Sequence, residues 1–173
     1  MKLILIILVL CAGLRAQGVF EPVNSEVYNF LKTLSIKGII IFDYEIKPLP
    51  RIVIAKKLIE ADNNSQRVTL IEKELLNFYL LDFKHEINLI KQDFESLSKP
   101  EFIITEKDER IRLFEYAGKD FSFVADPKLS FSLQSIADEN LFVRRNGFSF
   151  YGYALNNWAY SLSFYDNEET GNN

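Results

Sequence analysis

The stretch GFSFYGYALNNWAYSLSFYDN, residues 147–167, decides the fold that the sequence predicts. Large and small side chains alternate along it, aromatic residues are frequent, and its first charged residue is Asp166. Alternation with period two is typical of β-strands. Two adjacent asparagines favour a tight turn, because asparagine tolerates positive φ. We therefore predict a β-hairpin with a two-residue turn at Asn156 and Asn157.

That turn would place the large side chains on one face of the hairpin, with the expected pairs Leu155–Trp158, Tyr153–Tyr160, Tyr151–Leu162 and Ser149–Phe164. The opposite face would hold small, uncharged residues near the turn. A large apolar face behind a small polar one is typical of transmembrane β-barrel strands, with lipid outside. The predicted lipid-facing residues are Tyr151, Tyr153, Leu155, Trp158, Tyr160, Leu162 and Phe164. The alternative is an ordinary hairpin of a soluble α+β protein.

The alternation with period two also occurs in the residues that precede this hairpin. RIRLFEYAG and KDFSFVADP are expected to form a hairpin around Gly118, and KLSFSLQSI places Leu129, Phe131 and Leu133 on one face and serines on the other. These residues supply about five strands, whereas the smallest outer-membrane barrels have about eight. Open sheet edges are prohibitive in lipid. We therefore expect the chain to be the front part of a longer protein, or several copies to combine.

Residues 24–97 have helical spacing instead. A first helix is expected from Asn24 to the stop at Gly38, and a second, RIVIAKKLIEA, from Pro50. A third should start at the Thr69–Glu72 capping box and reach about Leu97. Its apolar seam is Leu76, Leu80, Phe83, Ile87, Ile90 and Phe94. The predicted class is α+β, with a three-helix domain at 17–100 and an antiparallel β segment at 101–173 that starts an outer-membrane barrel.

The amino terminus, MKLILIILVLCAGLRAQG, predicts a signal peptide over residues 1–16. It combines Lys2, a short apolar run and small residues, and the run is too short for a membrane span of about 20 residues. We expect cleavage between Ala16 and Gln17. A lipoprotein acylated at Cys11 is the alternative. Cleavage would remove Cys11, and an exported chain without disulfides fits a bacterial envelope.

The charge of the chain argues against nucleic acid as a partner. The formal net charge is −4, from 20 basic and 24 acidic residues; removing Lys2 and Arg15 leaves 18 basic residues and a charge of −6. Binding to phosphates needs clustered cations, and the pair Arg144 and Arg145 is too small a cluster.

The sequence contains no pattern of catalytic residues. His85, the only histidine, shares a helical face with Asp82 and Glu86, which makes a metal site conceivable, but we favour an ordinary solvated turn. Acidic residues are numerous, yet nothing singles out a pair for a hydrolase. Arg51 is expected to pair with an acidic neighbour. We therefore expect no enzyme activity, no cofactor and no metal.

Four segments together resemble the amino-terminal part of Wzi-like capsule-assembly outer-membrane proteins. They are YNFLKTLSIKGII (28–40), KPLPRIVIAKKL (47–58), FVADPKLSFSL (123–133) and RRNGFSFYGYALNNWAYSLSFYDNEETG (144–171). The last is the most specific. The residues that define the likeness are Arg51, Gly147, Asp166, Asn167, Glu168 and Gly171. The helical segments are also similar to a surface-layer-homology repeat.

This resemblance implies a helical plug at the periplasmic mouth of a barrel that holds polysaccharide at the cell surface. The implied location is the outer membrane, and the implied partners are its lipid and capsular polysaccharide or peptidoglycan. No glycan-binding residue can be transferred to this chain. The alternative function is a soluble periplasmic module that binds cell-wall glycan through its repeat-like helices.

Overall fold

The computed structural model describes residues 18–92, 100–105, 110–118, 120–136, 139–155 and 158–171. In these residues four α-helices precede a five-stranded antiparallel sheet, which confirms the α+β class. The helices are α1 (Val27–Ile36), α2 (Arg51–Asn63), α3 (Leu70–Asp82) and α4 (Lys84–Lys91). The strands, adjacent in chain order, are β1 (Glu101–Ile104), β2 (Arg112–Ala117), β3 (Ser122–Ile136), β4 (Glu139–Ala154) and β5 (Trp158–Gly171). The expected leader, with Cys11, Ala16 and Gln17, lies outside the described residues.

Local sequence signals set several helix ends. Gly38 has a φ of 66° and follows α1, which confirms the expected stop. Thr69 and Glu72 form the expected capping box, and Pro50 immediately precedes α2. The expected start of α1 at Asn24 is wrong. The backbone N–H of Ser25 donates to the carbonyl of Pro22 at 3.0 Å, so this segment forms a turn and the helix begins at Val27.

The single third helix expected up to Leu97 is instead two helices. Phe83 leaves helical geometry, with φ −104° and ψ 14°, between α3 and α4, and α4 is followed by Gln92 in the left-handed region. The described chain therefore has four helices, not three, and no membrane-length apolar helix was found in it. Phe94 and Leu97 lie outside the described residues. Asp82, His85 and Glu86 lie against the sheet, while Phe83 and Ile87 lie in the helical core.

The helices share one apolar core. It also takes in the extended segment after α1, and its largest contributions come from Tyr28, Leu31, Leu34, Ile54, Leu58, Leu76, Tyr79 and Phe83. Burying such side chains contributes roughly 1.5–3 kcal/mol each. The helical part thus has a hydrophobic core of its own beside the sheet.

The register of the last hairpin differs from the prediction. Ala154 pairs with Trp158 and Ser149 with Ser163, so residues 155–157 form the connection. Asn156 and Asn157 themselves lie outside the described residues. The expected two-residue turn is therefore wrong. A shift of one residue transfers the side chains of one strand to the opposite face relative to its partner, so the expected pairs, such as Tyr153 with Tyr160, do not form.

The sheet has two chemically different faces. The inner face, toward the helices, includes Val124, Asp126, Ser149 and Tyr151, all buried. The predicted register had separated Phe148 and Phe150 from Tyr160, Leu162 and Phe164, and the structure places them together. The outer face carries Phe123, Leu129, Phe131, Leu133, Phe148, Phe150, Tyr160, Leu162 and Phe164, and toward the far end of β5 it carries Arg144, Asn146, Asp166 and Glu168. Phe148 stacks on Phe164 with ring centroids 5.5 Å apart, and Phe123 on Phe150 at 5.6 Å. These aromatic pairs join neighbouring strands across the outer face.

Gly152 is required by the packing of Tyr160, its partner across β4 and β5. The Tyr160 hydroxyl donates to the Ser122 carbonyl at 2.5 Å. A Cβ at position 152 would collide with that carbonyl and would lie 2.7 Å from Cζ of Tyr160. The tyrosine ring therefore covers the space that a side chain at position 152 would fill, an arrangement known to stabilise glycines in sheets.

Candidate functional site

The contact between the helices and the inner face is built around Arg51, the first residue of α2. Its guanidinium donates through Nε to Glu86 Oε1 at 2.8 Å, through Nη1 to Glu21 Oε2 at 2.5 Å and through Nη2 to the Asp82 carbonyl at 2.9 Å. It also lies over the rings of Phe83 and Tyr151, with centroids at 3.9 and 4.9 Å. The expected pairing of Arg51 with an acidic neighbour is confirmed.

A second buried arginine, Arg112 on β2, approaches the same helix end. Its Nη2 donates to the carbonyl of Asp82 at 2.7 Å and lies 3.2 Å from Oδ1 of that residue. Its Nη1 lies 3.1 Å from Glu115 Oε2 and donates to the Tyr151 hydroxyl at 3.4 Å. Arg110 pairs with Asp82 Oδ2 at 3.0 Å. Three arginines therefore meet at the carboxyl end of α3, where helix carbonyls and Asp82 attract cations.

Two tyrosines join the sheet to this cluster, and both had been predicted to face lipid. Tyr151 is 6% exposed and packs against Val19 and Val124. The Tyr153 hydroxyl donates to Glu86 Oε1 at 3.2 Å. Both side chains face the helices, so their lipid-facing assignment is wrong. The one-residue shift in register separates them from Tyr160, Leu162 and Phe164 on β5.

His85 lies in the same contact, where the sequence had favoured a solvated turn. It is 2% exposed, and its ring stacks on Tyr153 with centroids 5.7 Å apart. Neither ring nitrogen has a hydrogen-bond partner among the described residues. The expected solvated turn is wrong, because Asp82, His85 and Glu86 share one helical face and the sheet covers that face.

Electrostatics fixes the charge states of two helical groups. Burial alone would lower the pKa of Arg51, but the negative charges of Glu86 and Glu21 outweigh it and hold that pKa well above its ordinary value. Burial lowers the pKa of His85; the cations Arg112 and Arg51 act in the same direction, and Glu86 opposes them. The contact therefore keeps Arg51 charged and favours a neutral His85.

The other predicted lipid-facing residues have varied positions. By register, Trp158, Tyr160, Leu162 and Phe164 lie on the outer face, and Leu155 is exposed in the connection after β4. Of the residues behind the family resemblance, Gly147 lies in β4 where a Cβ would collide with the Phe164 carbonyl. Asp166, Asn167, Glu168 and Gly171 lie at the far end of β5 rather than in a loop. Glu168 pairs there with Arg144 at 3.0 Å.

A groove runs along the inner face beyond the helices, and we call it the inner groove. Its narrow end, about 100 Å³, is lined among others by Asp126, Ser149, Ser161 and Ser163. Its wide end, about 380 Å³, is lined by Asn24, Ser130, Arg145 and Asn167 among others. Pro22, Lys128 and Tyr165 line both ends, so the two are continuous. The wide end has the size of a small-molecule site.

Neither a metal-ligand group in the described residues nor a match to a known protein identifies the chemistry of this site. No group of three or more His, Cys, Asp or Glu side chains suited to a metal occurs in the part of the chain that the structure describes. Comparison of the chain with protein-family models, curated proteins and solved structures finds no match.

Proposed function

We propose that this chain is an outer-membrane structural or binding protein that assembles or retains capsule or exopolysaccharide at the cell surface. The observation that supports the proposal most is the division of the sheet into two faces. The inner face is polar and attached to the helices, whereas the outer face carries aromatic and aliphatic side chains. A barrel wall requires this arrangement, with lipid outside and a polar or plugged interior.

The apolar outer face is long and exposed. Outer positions on β3 are apolar from Phe123 to Leu133, close to the roughly 9–11 residues with which a tilted strand crosses a bilayer. Leu129, Phe131, Leu162 and Phe164 are 70%, 65%, 64% and 57% exposed. Nearer the 155–157 connection the neighbouring outer positions on β4 and β5 are apolar as well, and lipid is a matching solvent for such a patch. Beside Leu129 and Phe131 the outer positions are instead polar: Asn146, Arg144, Asp166 and Glu168.

The helices have the attachment expected of a plug. Arg51, Asp82, Glu86 and Arg112 bind α2, α3 and α4 to the inner face through charged groups that are at most 4% exposed. Removing one partner from such a network leaves a buried charge unpaired, so the helices are held against the sheet.

The free edge of β5 means that insertion into a membrane would require an additional strand. Among the described residues β5 pairs only with β4. Its other edge would present unpaired N–H and C=O groups, which lipid cannot satisfy. The membrane-inserted state therefore needs a further strand beside β5, supplied by this protein or by another copy.

Fractionation of native cells tests the proposal. With an antibody against α3, the protein is expected in the outer-membrane fraction, and a strain that lacks the protein should release polysaccharide from the cells into the medium. Recovery from the soluble periplasm, with cell-bound polysaccharide unchanged in the deletion strain, would overturn the proposal.

A further inference from the structure

We infer that the inner groove is a binding site for an acidic saccharide. The choice of a saccharide rests on the proposed function, whereas the location and the polarity of the site come from the groove itself. The groove lies on the inner face: its narrow end reaches the contact between the helices and the sheet, where Glu21, Arg51 and Tyr151 line it, and its wide end is open to solvent.

Two cations give the groove its preference for an anion. Lys128 on β3 and Arg145 on β4 both line the wide end. Neither forms an ion pair with another residue in the described ranges, although Lys128 interacts electrostatically with Asp126. Arg144, the preceding residue on β4, lies on the outer face and pairs with Glu168. Arg145 is therefore available to a ligand carboxylate, and its planar guanidinium can bind one through two parallel hydrogen bonds.

The narrow end of the groove offers hydrogen-bond acceptors and hydroxyls beside Arg51 and Arg110, whose guanidinium groups are already paired with carboxylates. Asp126 is 3% exposed, and its Oδ1 has no hydrogen-bond partner among the described residues. A buried polar atom without a partner costs free energy until a donor reaches it. Ser149 and Ser163 lie directly opposite each other beside it, and Ser161 lies one inward position away. Sugar hydroxyls are the donors that suit this end.

A ligand that fits both ends of the groove must carry a negative charge and several hydroxyl groups. A free phosphate would meet Lys128 and Arg145 at the wide end, but a single small anion cannot also place a donor on Asp126 at the narrow end. A neutral sugar would satisfy Asp126 and leave the cations unused. A saccharide with a carboxylate and several hydroxyls can satisfy both ends. The half-exposed ring of Tyr165, which lines both ends, provides an apolar surface for its ring.

Calorimetric titration of the full chain, purified in detergent, tests the inference. The probes are a hexamer of galacturonic acid, maltohexaose as the neutral counterpart, and inorganic phosphate. The test variants are Arg145→Gln and Asp126→Asn. The matched control is Arg144→Gln, which removes the same side chain from the opposite face of the same strand.

The acidic hexamer is expected to bind at least about tenfold more tightly than maltohexaose. Arg145→Gln and Asp126→Asn should each weaken it by about tenfold, the factor for one charge-assisted hydrogen bond. Arg144→Gln should leave binding unchanged. No binding of the hexamer, or equal effects of Arg144→Gln and Arg145→Gln, would overturn the site. Phosphate binding as tight as the hexamer and equally sensitive to Arg145→Gln would overturn the saccharide assignment. Failure here leaves the fractionation result intact, so the two proposals fail separately.

Discussion

Tyr153 on β4 donates a hydrogen bond from its hydroxyl to Oε1 of Glu86 on α4, at 3.2 Å. The same carboxylate oxygen accepts from Nε of Arg51 on α2 at 2.8 Å. One oxygen atom therefore joins two helices to the sheet. A tyrosine that the alternation alone assigns to lipid is in fact part of the attachment of the helices.

Replacing Arg51 with Leu should destabilise the protein strongly. The change leaves Glu21 and Glu86, which are 3% and 0% exposed, without their cation, and breaking a buried pair costs about 3–5 kcal/mol. Denaturant unfolding measures the loss. Lys57→Ala on the same helix is the control, because its pair with Glu60 is partly exposed and should contribute at most about 1 kcal/mol. Equal losses for the two variants would show that the buried network does not stabilise the fold.

Stability should fall on mild acidification because of His85. Burial lowers the pKa of this histidine in the folded state, while the unfolded chain takes up the proton near pH 6.5. Protons then bind preferentially to the unfolded state. The free energy of unfolding is therefore highest above about pH 6.5 and decreases as the pH falls below that value. His85 is the only histidine, and the loss between pH 7.5 and 5.5 should be about 1 kcal/mol.

His85→Phe should remove this acid sensitivity, because it keeps an aromatic ring against Tyr153 and cannot bind a proton. The free energy of unfolding of both proteins is measured at the two pH values. A variant that loses as much stability as the wild type would exclude His85 as the source.

The register of the last hairpin can be tested by crosslinking. Ser149 lies opposite Ser163, so cysteines at these two positions should be close enough for a disulfide, whose Cα atoms are usually about 4.4–6.8 Å apart. The control pair, cysteines at positions 149 and 164, is the one that a two-residue turn would bring together. Oxidation followed by mass spectrometry should find the bond only in the first protein. A bond only in the control protein would restore the two-residue turn.

A charge on the outer face should block membrane assembly. Lysine in place of an outward residue near the bilayer centre costs about 2–4 kcal/mol, so Leu162→Lys should not insert. Ser163→Lys places the same side chain on the neighbouring inner position and should insert normally. Heat-modifiable mobility and resistance to urea extraction measure insertion. Normal insertion of both variants would remove the lipid contact of Leu162.

Structural features that depend on only a few neighbouring residues could be predicted from the sequence. The capping box at Thr69, the stop at Gly38 and the start of α2 after Pro50 each depend on neighbouring backbone groups. The α+β class follows from the change of period between the two halves. Alternation also predicted an apolar face on β5, and Leu162 and Phe164 are indeed on one face.

The inner contact could not be predicted, because it depends on how strands and helices meet. Both registers of the hairpin keep the alternation within each strand, and only the connection at 155–157 decides which faces combine. Asp82, His85 and Glu86 looked like solvated positions because charged side chains on one helical face are mostly exposed, and no local feature reveals that the sheet covers this face. The one sequence feature that indicated a buried contact was the cluster of charged residues next to the apolar seam of the expected third helix.

Spin-label accessibility along β5, measured with the full chain in lipid bilayers, tests whether the outer face of the sheet contacts lipid. Single cysteine labels at positions 160–165 are exposed in turn to oxygen, which concentrates in lipid, and to a water-soluble nickel complex. We expect alternation, with positions 160, 162 and 164 reached by oxygen and positions 161, 163 and 165 reached by nickel. Uniform nickel accessibility, or alternation of the opposite phase, would contradict a sheet whose outer face contacts lipid.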